Sequence, residues 1–416
     1  MQRKNRVRLW EYFFVTLIHP YMPAKALLIL KPGRERSLLR RHPWIFSGAV
    51  AELRGAAQAG ETVELLSSSG EFLAQAAYSP ASQIRARVWS WSQDEEVGPD
   101  FLRKRLERAI RSRHGMDGEG DAYRLVHAES DGLPGVVVDK YDDVIVLQCL
   151  SWGAEFWHDT IADQLMDLLS PATLYERSDV DVRSLEGLPP RAGLLQGKAI
   201  DGKIKISEHG LNFWVDTIGG HKTGFYLDQR ANRKLAQSLS AGRQVLDCFS
   251  YTGAFGAHAL KGGAATLTLV EDSRDALALA AENLTLNNLP TDQVEFIDGD
   301  AFEVLRRFRD QSRLFDMVIL DPPKFAPTKA QAARAARGYK DINLLAFKLL
   351  RPGGLLMTFS CSGGVDAALF QKIVAGAALD AGVEARILAH LSQGPDHPVA
   401  LNFPEGEYLK GLVVEV

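Results

Sequence analysis

Cysteine is scarce in this chain: Cys149, Cys248 and Cys361 are the only three among 416 residues, far apart and without a C-x-x-C pair. That argues against disulfides and against a cysteine-built zinc site, so no metal is expected and a reducing cytoplasm is the default compartment. A dominant charge is missing too, since 48 Lys+Arg against 52 Asp+Glu leave a formal −4. A uniformly basic nucleic-acid coat is thereby excluded, while local basic patches are not. No apolar run is long enough to span a bilayer, so no membrane partner is expected. The nearest approach runs from Trp10 to Ile18 behind Arg3, Lys4, Arg6 and Arg8, in the manner of a signal peptide. Glu11 interrupts it and no small-residue cleavage site follows. Residues 1–23 are read as an extension outside the fold, with a membrane-surface segment as the alternative.

What is present suffices for several packed domains: 46% of residues are hydrophobic and 24% charged. From Ala26 to about Arg87 short strands alternate with glycine turns, which defines a small β-rich module over 24–97. Its first loop carries Lys31, Arg34, Arg36, Arg40 and Arg41 before His42-Pro-Trp-Ile-Phe46. Clustered arginines beside aromatics suit phosphate contact with base stacking, and a solvated face would use the same arginines. Trp44 and Phe46 are expected in the core. A basic amphipathic helix over 101–111, several short strands and a helix over 155–169 then form a small α+β domain, 98–209. Cys149 alternates with apolar residues on one of those strands and is expected simply to be packed.

The last domain, 210–416, is organised around Gln244-Val-Leu-Asp-Cys-Phe-Ser-Tyr-Thr-Gly-Ala-Phe-Gly256. A buried strand ends there in Asp247, and a turn with Ser250, Thr252 and Gly253 leads into an apolar helix. Glycine permits close backbone approach to a ligand, and the helix N-terminus offers unpaired N–H groups. A second strand ends in Glu271 and Asp272, where an acid can accept from ribose hydroxyls. The turn lacks the G-x-G-x-x-G fingerprint and any basic residue, so a nucleoside with little phosphate charge fits it better than a dinucleotide; S-adenosylmethionine is such a nucleoside. Three further strands end at Asp300, Asp321 and Cys361, again at the edge where open parallel sheets bind ligands.

Gly224-Phe-Tyr-Leu-Asp-Gln-Arg230, Leu246-Asp-Cys-Phe-Ser-Tyr-Thr-Gly253, Asp321-Pro-Pro-Lys-Phe325, Phe359-Ser-Cys-Ser362 and Pro395-Asp-His-Pro398 together closely resemble one family. It is the bacterial 23S ribosomal-RNA cytosine-5 methyltransferases with an N-terminal PUA domain, matched over nearly the whole chain from about Met22. The resemblance implies a Rossmann-like α/β class I methyltransferase domain behind a PUA domain and an α+β middle domain. It places S-adenosylmethionine over Asp247, Phe249, Ser250, Thr252 and Gly253. Glu271 would hold the ribose beside Asp272 and Ser273, Asp300 with Ala301 the adenine, and Gln229, Arg230 and Asp321 would close the site; an end-of-strand cap is the alternative for Asp300 and a structural ion pair for Arg230. Ribosomal RNA is the implied partner, and a homodimer is compatible with this reading.

Cysteine is the informative residue for the chemistry. Cytosine C5 becomes nucleophilic once a thiolate adds to C6, so Cys361 is the candidate nucleophile and its pKa is expected to be depressed. Asp321 would hold the base at N3 and its amine, with Pro322 and Pro323 stiffening the turn and Lys324 and Phe325 next to it. Lys324 stands where many related RNA enzymes carry a second cysteine that assists product release, so Cys361 acts alone. Lys329, Arg334, Arg337 and Lys340 follow with helical spacing and are candidates for gripping phosphates, a solvated helix face being the alternative. His397 is a candidate for facing the base, a satisfied structural histidine being the alternative. Two rival readings remain: an exocyclic-amine methyltransferase, which needs no cysteine nucleophile, and a non-catalytic ribosome-assembly factor.

Overall fold

The computed structural model describes residues 25–325 and 332–416; the extension over 1–23, Lys329 and the side chain of Arg334 lie outside what it describes. The N-terminal module is a six-stranded sheet of β1 (Leu27–Leu30), β2 (Trp44–Phe46), β3 (Val50–Arg54), β4 (Thr62–Leu66), β5 (Phe72–Tyr78) and β6 (Ile84–Ser90). Its order is β2-β6-β5-β4-β1-β3, and a single turn of helix, α1 (Arg36–Leu39), carries part of the arginine loop. Strand alternation fills its core, with Leu28, Val63, Leu65, Ala74 and Val88 all inward. Ile45 is also buried, but Phe46 is 51% exposed and Trp44 only partly covered, which corrects the core reading for Phe46.

The middle domain opens with α2 (Pro99–Ser112), started by a proline in its first turn. Strands β7 (Ala122–His127), β8 (Val136–Tyr141), β9 (Val144–Cys149), β10 (Thr173–Ser178) and β11 (Arg191–Gly197) form one sheet in the order β11-β10-β9-β8-β7. The single helix expected over 155–169 is two, α3 (Trp152–Phe156) and α4 (His158–Leu169), and α5 (Val182–Glu186) follows β10. Cys149 is fully buried in this core, as its alternation predicts.

A hairpin, β12 (Ile204–Glu208) and β13 (Leu211–Val215), leads into the last domain. Ile206, Leu211, Phe213 and Val215 pack in the same cluster as Phe225, Val245 and Met317, so the hairpin, a separate two-stranded sheet, packs as one piece against the large sheet, and a boundary at 209/210 falls in its turn. The large sheet contains β14 (Gln244–Cys248), β15 (Thr266–Glu271), β16 (Val294–Asp298), β17 (Phe315–Leu320), β18 (Leu350–Ser360), β19 (Arg386–Ser392) and β20 (Lys410–Glu415). Its order is β16-β15-β14-β17-β18-β20-β19, parallel except at β20. The helices are α6 (Arg230–Leu239), α7 (Ala254–Lys261), α8 (Arg274–Leu286), α9 (Ala301–Asp310), α10 (Ala332–Leu349) and α11 (Ala367–Ala381). Two apolar clusters cover the two faces, as a doubly wound sheet requires. Strand order reverses between β14 and β17, and that switch point opens the crevice where such sheets bind ligands.

Candidate active site

Register brings the expected residues to one edge. Cys248 pairs with Val270 on one side and Leu320 on the other, and Leu320 pairs with Thr358. Glu271, Phe249 and Asp321 therefore leave the sheet at the same level, with Cys361 just beyond on the next strand. The β14–α7 turn is sharply wound, with Phe249 at φ 62°, Tyr251 at 47° and Gly253 at 76°. A Cβ on Gly253 would meet the Ala280 side chain at 2.8 Å, so α7 and α8 close over the turn only because residue 253 has none.

The carboxylates around this turn are held by backbone. Asp247 Oδ2 accepts from Gly256 N at 3.1 Å, and burial with the nearby Asp321 pushes its carboxyl well up. Glu271 accepts from Tyr251 N at 2.7 Å and from Asp272 N and Ser273 N at 3.1 Å, while burial pushes its pKa up too. Ser273 caps α8 by accepting from Ala276 N at 3.3 Å. Asp300 is exposed and caps α9, accepting from Glu303 N at 3.0 Å, with Ala301 buried behind it. The hydroxyls of Ser250 and Thr252 are buried without a hydrogen-bond partner, two polar groups in the turn that a bound molecule would satisfy.

Asp321 is the centre of the second half. Gln229 Nε2 donates to its Oδ2 at 3.0 Å, and Gln229 is itself fixed by Asn232 at 2.6 Å. Burial, reinforced by Asp228, pushes the Asp321 carboxyl up to about 7. Pro322 is buried and Pro323 exposed, while Phe325 turns back to pack on Tyr339 with ring centroids 4.7 Å apart. Cys361 is half-buried behind this turn. Its thiol pKa is raised rather than depressed, because burial and the Asp321 and Asp228 charges outweigh Lys222 and Lys324. The expectation of a resting thiolate is corrected accordingly.

Other expected residues are engaged elsewhere. Arg230 is buried, with its guanidinium 3.5 Å from the Ala122 carbonyl and 3.8 Å from Asp396, so its contacts lie on the middle-domain side as a structural ion pair. His397 is buried against His127, 5.1 Å between centroids, with Nδ1 3.2 Å from Asp396, and so does not face an open cleft. Lys340 pairs with Asp380 at 2.7 Å, and Arg337 is exposed.

Comparison with known proteins bears on this geometry. Residues 191–392 match the model of the S-adenosylmethionine-dependent methyltransferase family, and residues 28–91 that of the PUA-like domain. A protein of Aeromonas hydrophila named ribosomal RNA large subunit methyltransferase I is 52% identical over 392 residues, covering 94% of this chain and 99% of that one. One of the same name from Shewanella frigidimarina is 50% identical over 390 residues, covering 93% and 98%. The chain belongs to the ribosomal RNA large subunit methyltransferase I family. As a member it is an S-adenosylmethionine-dependent methyltransferase with a PUA-like N-terminal domain. The solved structure of SMU.776, described as a methyltransferase and complexed with SAH, aligns with a TM-score of 0.82 at 22% identity, over 94% of this chain and 100% of that one. That likeness concerns the fold.

Around the β14–α7 turn and the Cys361 thiol stand residues that sequence reasoning did not single out. Lys222, at φ 54°, donates to Asp228 at 2.6 Å, and Tyr408 OH donates to the same oxygen at 2.6 Å. Lys222 holds the Asp228 carboxyl far below its usual range against the opposing effect of burial. Tyr251 stacks on His221 at 4.9 Å and meets Tyr226 edge-on at 5.3 Å. The glycine-bounded run from Gly220 was the available signal for Lys222 and His221. Nothing local marks Tyr408, which reaches the site from a distant loop.

Proposed function

We propose that this chain methylates C5 of a cytosine in 23S ribosomal RNA through a transient bond between Cys361 and C6. The supporting observation is the placement of Cys361 and Asp321 at the ends of adjacent parallel strands, with Asp321 the strongest charge acting on the thiol. The relatives' name supplies the large-subunit ribosomal RNA as substrate class.

The residues fit S-adenosylmethionine: the unsatisfied Ser250 and Thr252 hydroxyls and the backbone-held Glu271 line a turn free of basic residues. Asp247, Phe249 and Gly253 would hold its amino-acid end with Gln229 nearby, Glu271, Asp272 and Ser273 its ribose, and Asp300 and Ala301 its base. When bound, it supplies the electrophilic methyl that C5 receives.

Proton movement accounts for the raised thiol. Asp321, ionised above about 7, accepts the Cys361 proton and becomes a neutral acid. The thiolate then adds to C6, the S–C6 bond forming as the C5–C6 π pair moves toward C5 and N3 takes the proton from Asp321. After C5 gains its methyl, the C5 proton passes to solvent water, its bonding pair restores the C5–C6 double bond, and the S–C6 pair leaves with the thiolate. N3 then returns its proton to Asp321, which passes it back to the Cys361 thiolate. Pro322 and Pro323 keep the acid and base aligned, and Lys324 with Arg337, Arg334 and Lys329 supplies cations for the flanking phosphates.

The raised thiol also supports a second reading, methylation of an exocyclic amine held by Asp321 and the prolines with Cys361 idle. RNA containing 5-fluorocytosine separates the two, because fluorine cannot leave C5 as the proton does. A denaturation-resistant protein–RNA adduct, lost in Cys361→Ala, is the expected result. Methylation by Cys361→Ala at near wild-type rate would overturn the covalent route.

A further inference from the structure

The loop that carries Cys361 is held by a buried ammonium that, among the described residues, makes no salt bridge to a carboxylate. Lys410 opens β20 opposite Ser360 of β18 and is 6% exposed. Its Nζ donates to the Ser362 carbonyl at 2.9 Å and to the Tyr408 carbonyl at 2.7 Å, and among the described residues it has no carboxylate partner. Ser362 is pinned at its other polar atoms as well: its N–H donates to Ser360 Oγ at 3.3 Å and its hydroxyl meets Tyr339 OH at 2.9 Å. A neutral donor would hold the same carbonyl without dehydrating a charge. The fold places an ammonium there instead, one residue from the thiol.

The surrounding charges indicate what the ammonium serves. Burial lowers the Lys410 pKa, and Cys361, once ionised, is the charge that most favours its protonated form, ahead of Glu407 and Asp366, with Lys324 opposed. On the thiol side Asp321 and Asp228 disfavour ionisation, and the Tyr226 and Tyr339 rings border the same space. Lys222 and Lys324 oppose those carboxylates, but Lys222 is 38% exposed and already paired with Asp228, and Lys324 is exposed. Solvent and salt screen both of them, whereas Lys410 is shielded from both.

We propose that Lys410 is the positioning residue of the Cys361 nucleophile: it fixes the loop through the Ser362 carbonyl and is the buried counter-charge of the thiolate that forms once Asp321 is neutral. The inference rests on the covalent reading above. Its chemical content is a fixed positive charge that remains beside sulfur when the largest opposing charge is removed.

Site-resolved alkylation of Cys361 by iodoacetamide tests it, read by peptide mass spectrometry on the full chain between pH 6 and 10. Lys410→Met is expected to raise the alkylation midpoint by about one pH unit, roughly a tenfold slower reaction below it. Lys410→Arg should recover most of that loss, and added salt should leave the wild-type midpoint in place. An unmoved midpoint in Lys410→Met, or equal shifts in the Met and Arg variants, overturns the proposal, since geometry alone would then account for the lysine. Lys410→Gln, which keeps a donor, gives the same two outcomes if the methionine variant does not fold. Cys361→Ala keeps the two claims separate. If it still methylates, the covalent reading fails; if it is inactive while the Cys361 midpoint stays put in Lys410→Met, only the role of Lys410 fails.

Discussion

Asp321 carries the most consequence of any single side chain, because burial beside Asp228 makes its charge costly and Gln229 only partly offsets that. For an acid whose folded pKa is raised, the folded state holds a proton that the unfolded state has released between about pH 4 and about 7. Stability is therefore lost as pH rises through that window and stays lower above it. Asp321→Asn should abolish methylation yet raise the melting temperature at pH 8 by about 2–4 °C, with little change at pH 5, as differential scanning calorimetry would register. Gln229→Leu removes a donor that favours the ionised form, so the pH dependence of single-turnover methylation should move upward by about half to one pH unit. A downward move would mean that Gln229 does not act through Asp321.

Among elements, the β14–α7 turn is the part that cannot be changed cheaply. Three left-handed residues in five, at 249, 251 and 253, set the path of the backbone, and only the last is glycine. Gly253→Ala combines a disfavoured φ with a Cβ 2.8 Å from the Ala280 side chain. It should cost about 1–3 kcal/mol of stability and weaken S-adenosylmethionine binding in a calorimetric titration. Gly363→Ala, where an added Cβ meets nothing within 4 Å, is the control that should leave both unchanged.

Over the whole molecule, the N-terminal module is tied to the middle and catalytic domains rather than tethered to them. Trp44 Nε1 donates to Glu129 at 2.7 Å, its ring lies 4.8 Å from that of Phe403, His42 meets Glu405 at 3.1 Å, and Asn402 donates to the Arg41 carbonyl. The loop with Arg34, Arg36, Arg40 and Arg41, all exposed, is thereby held at a set distance from the thiol. Replacing those four with alanine should weaken RNA binding and flatten its dependence on the logarithm of salt by up to about 3, leaving cofactor affinity intact. An unchanged salt slope in filter binding would make the loop a solvated face.

Legibility followed the range of the interactions. The parallel series, the acids at strand ends and the placement of Cys361 could be read because continuous apolar runs and edge chemistry are written within each strand. The choice between the two readings of Arg230 and of His397 could not, since the partners that decide it, Ala122, Met116, His127 and Asp396, include residues more than a hundred positions away in the chain. Phe46 was misplaced because alternation assigns a face without saying whether another domain covers it.

The amino-acid order alone thus determined the layered α/β architecture, the nucleoside turn and the residues offered at the sheet's edge, since each depends on patterns a few residues long. Tertiary structure decided how those residues ionise and which cations stand near them. Burial and the convergence of Asp228, Lys222 and Lys324 on this edge set the ionisation of Cys361, and burial with Asp228 and Lys222 that of Asp321, and that convergence exists only once the chain has folded.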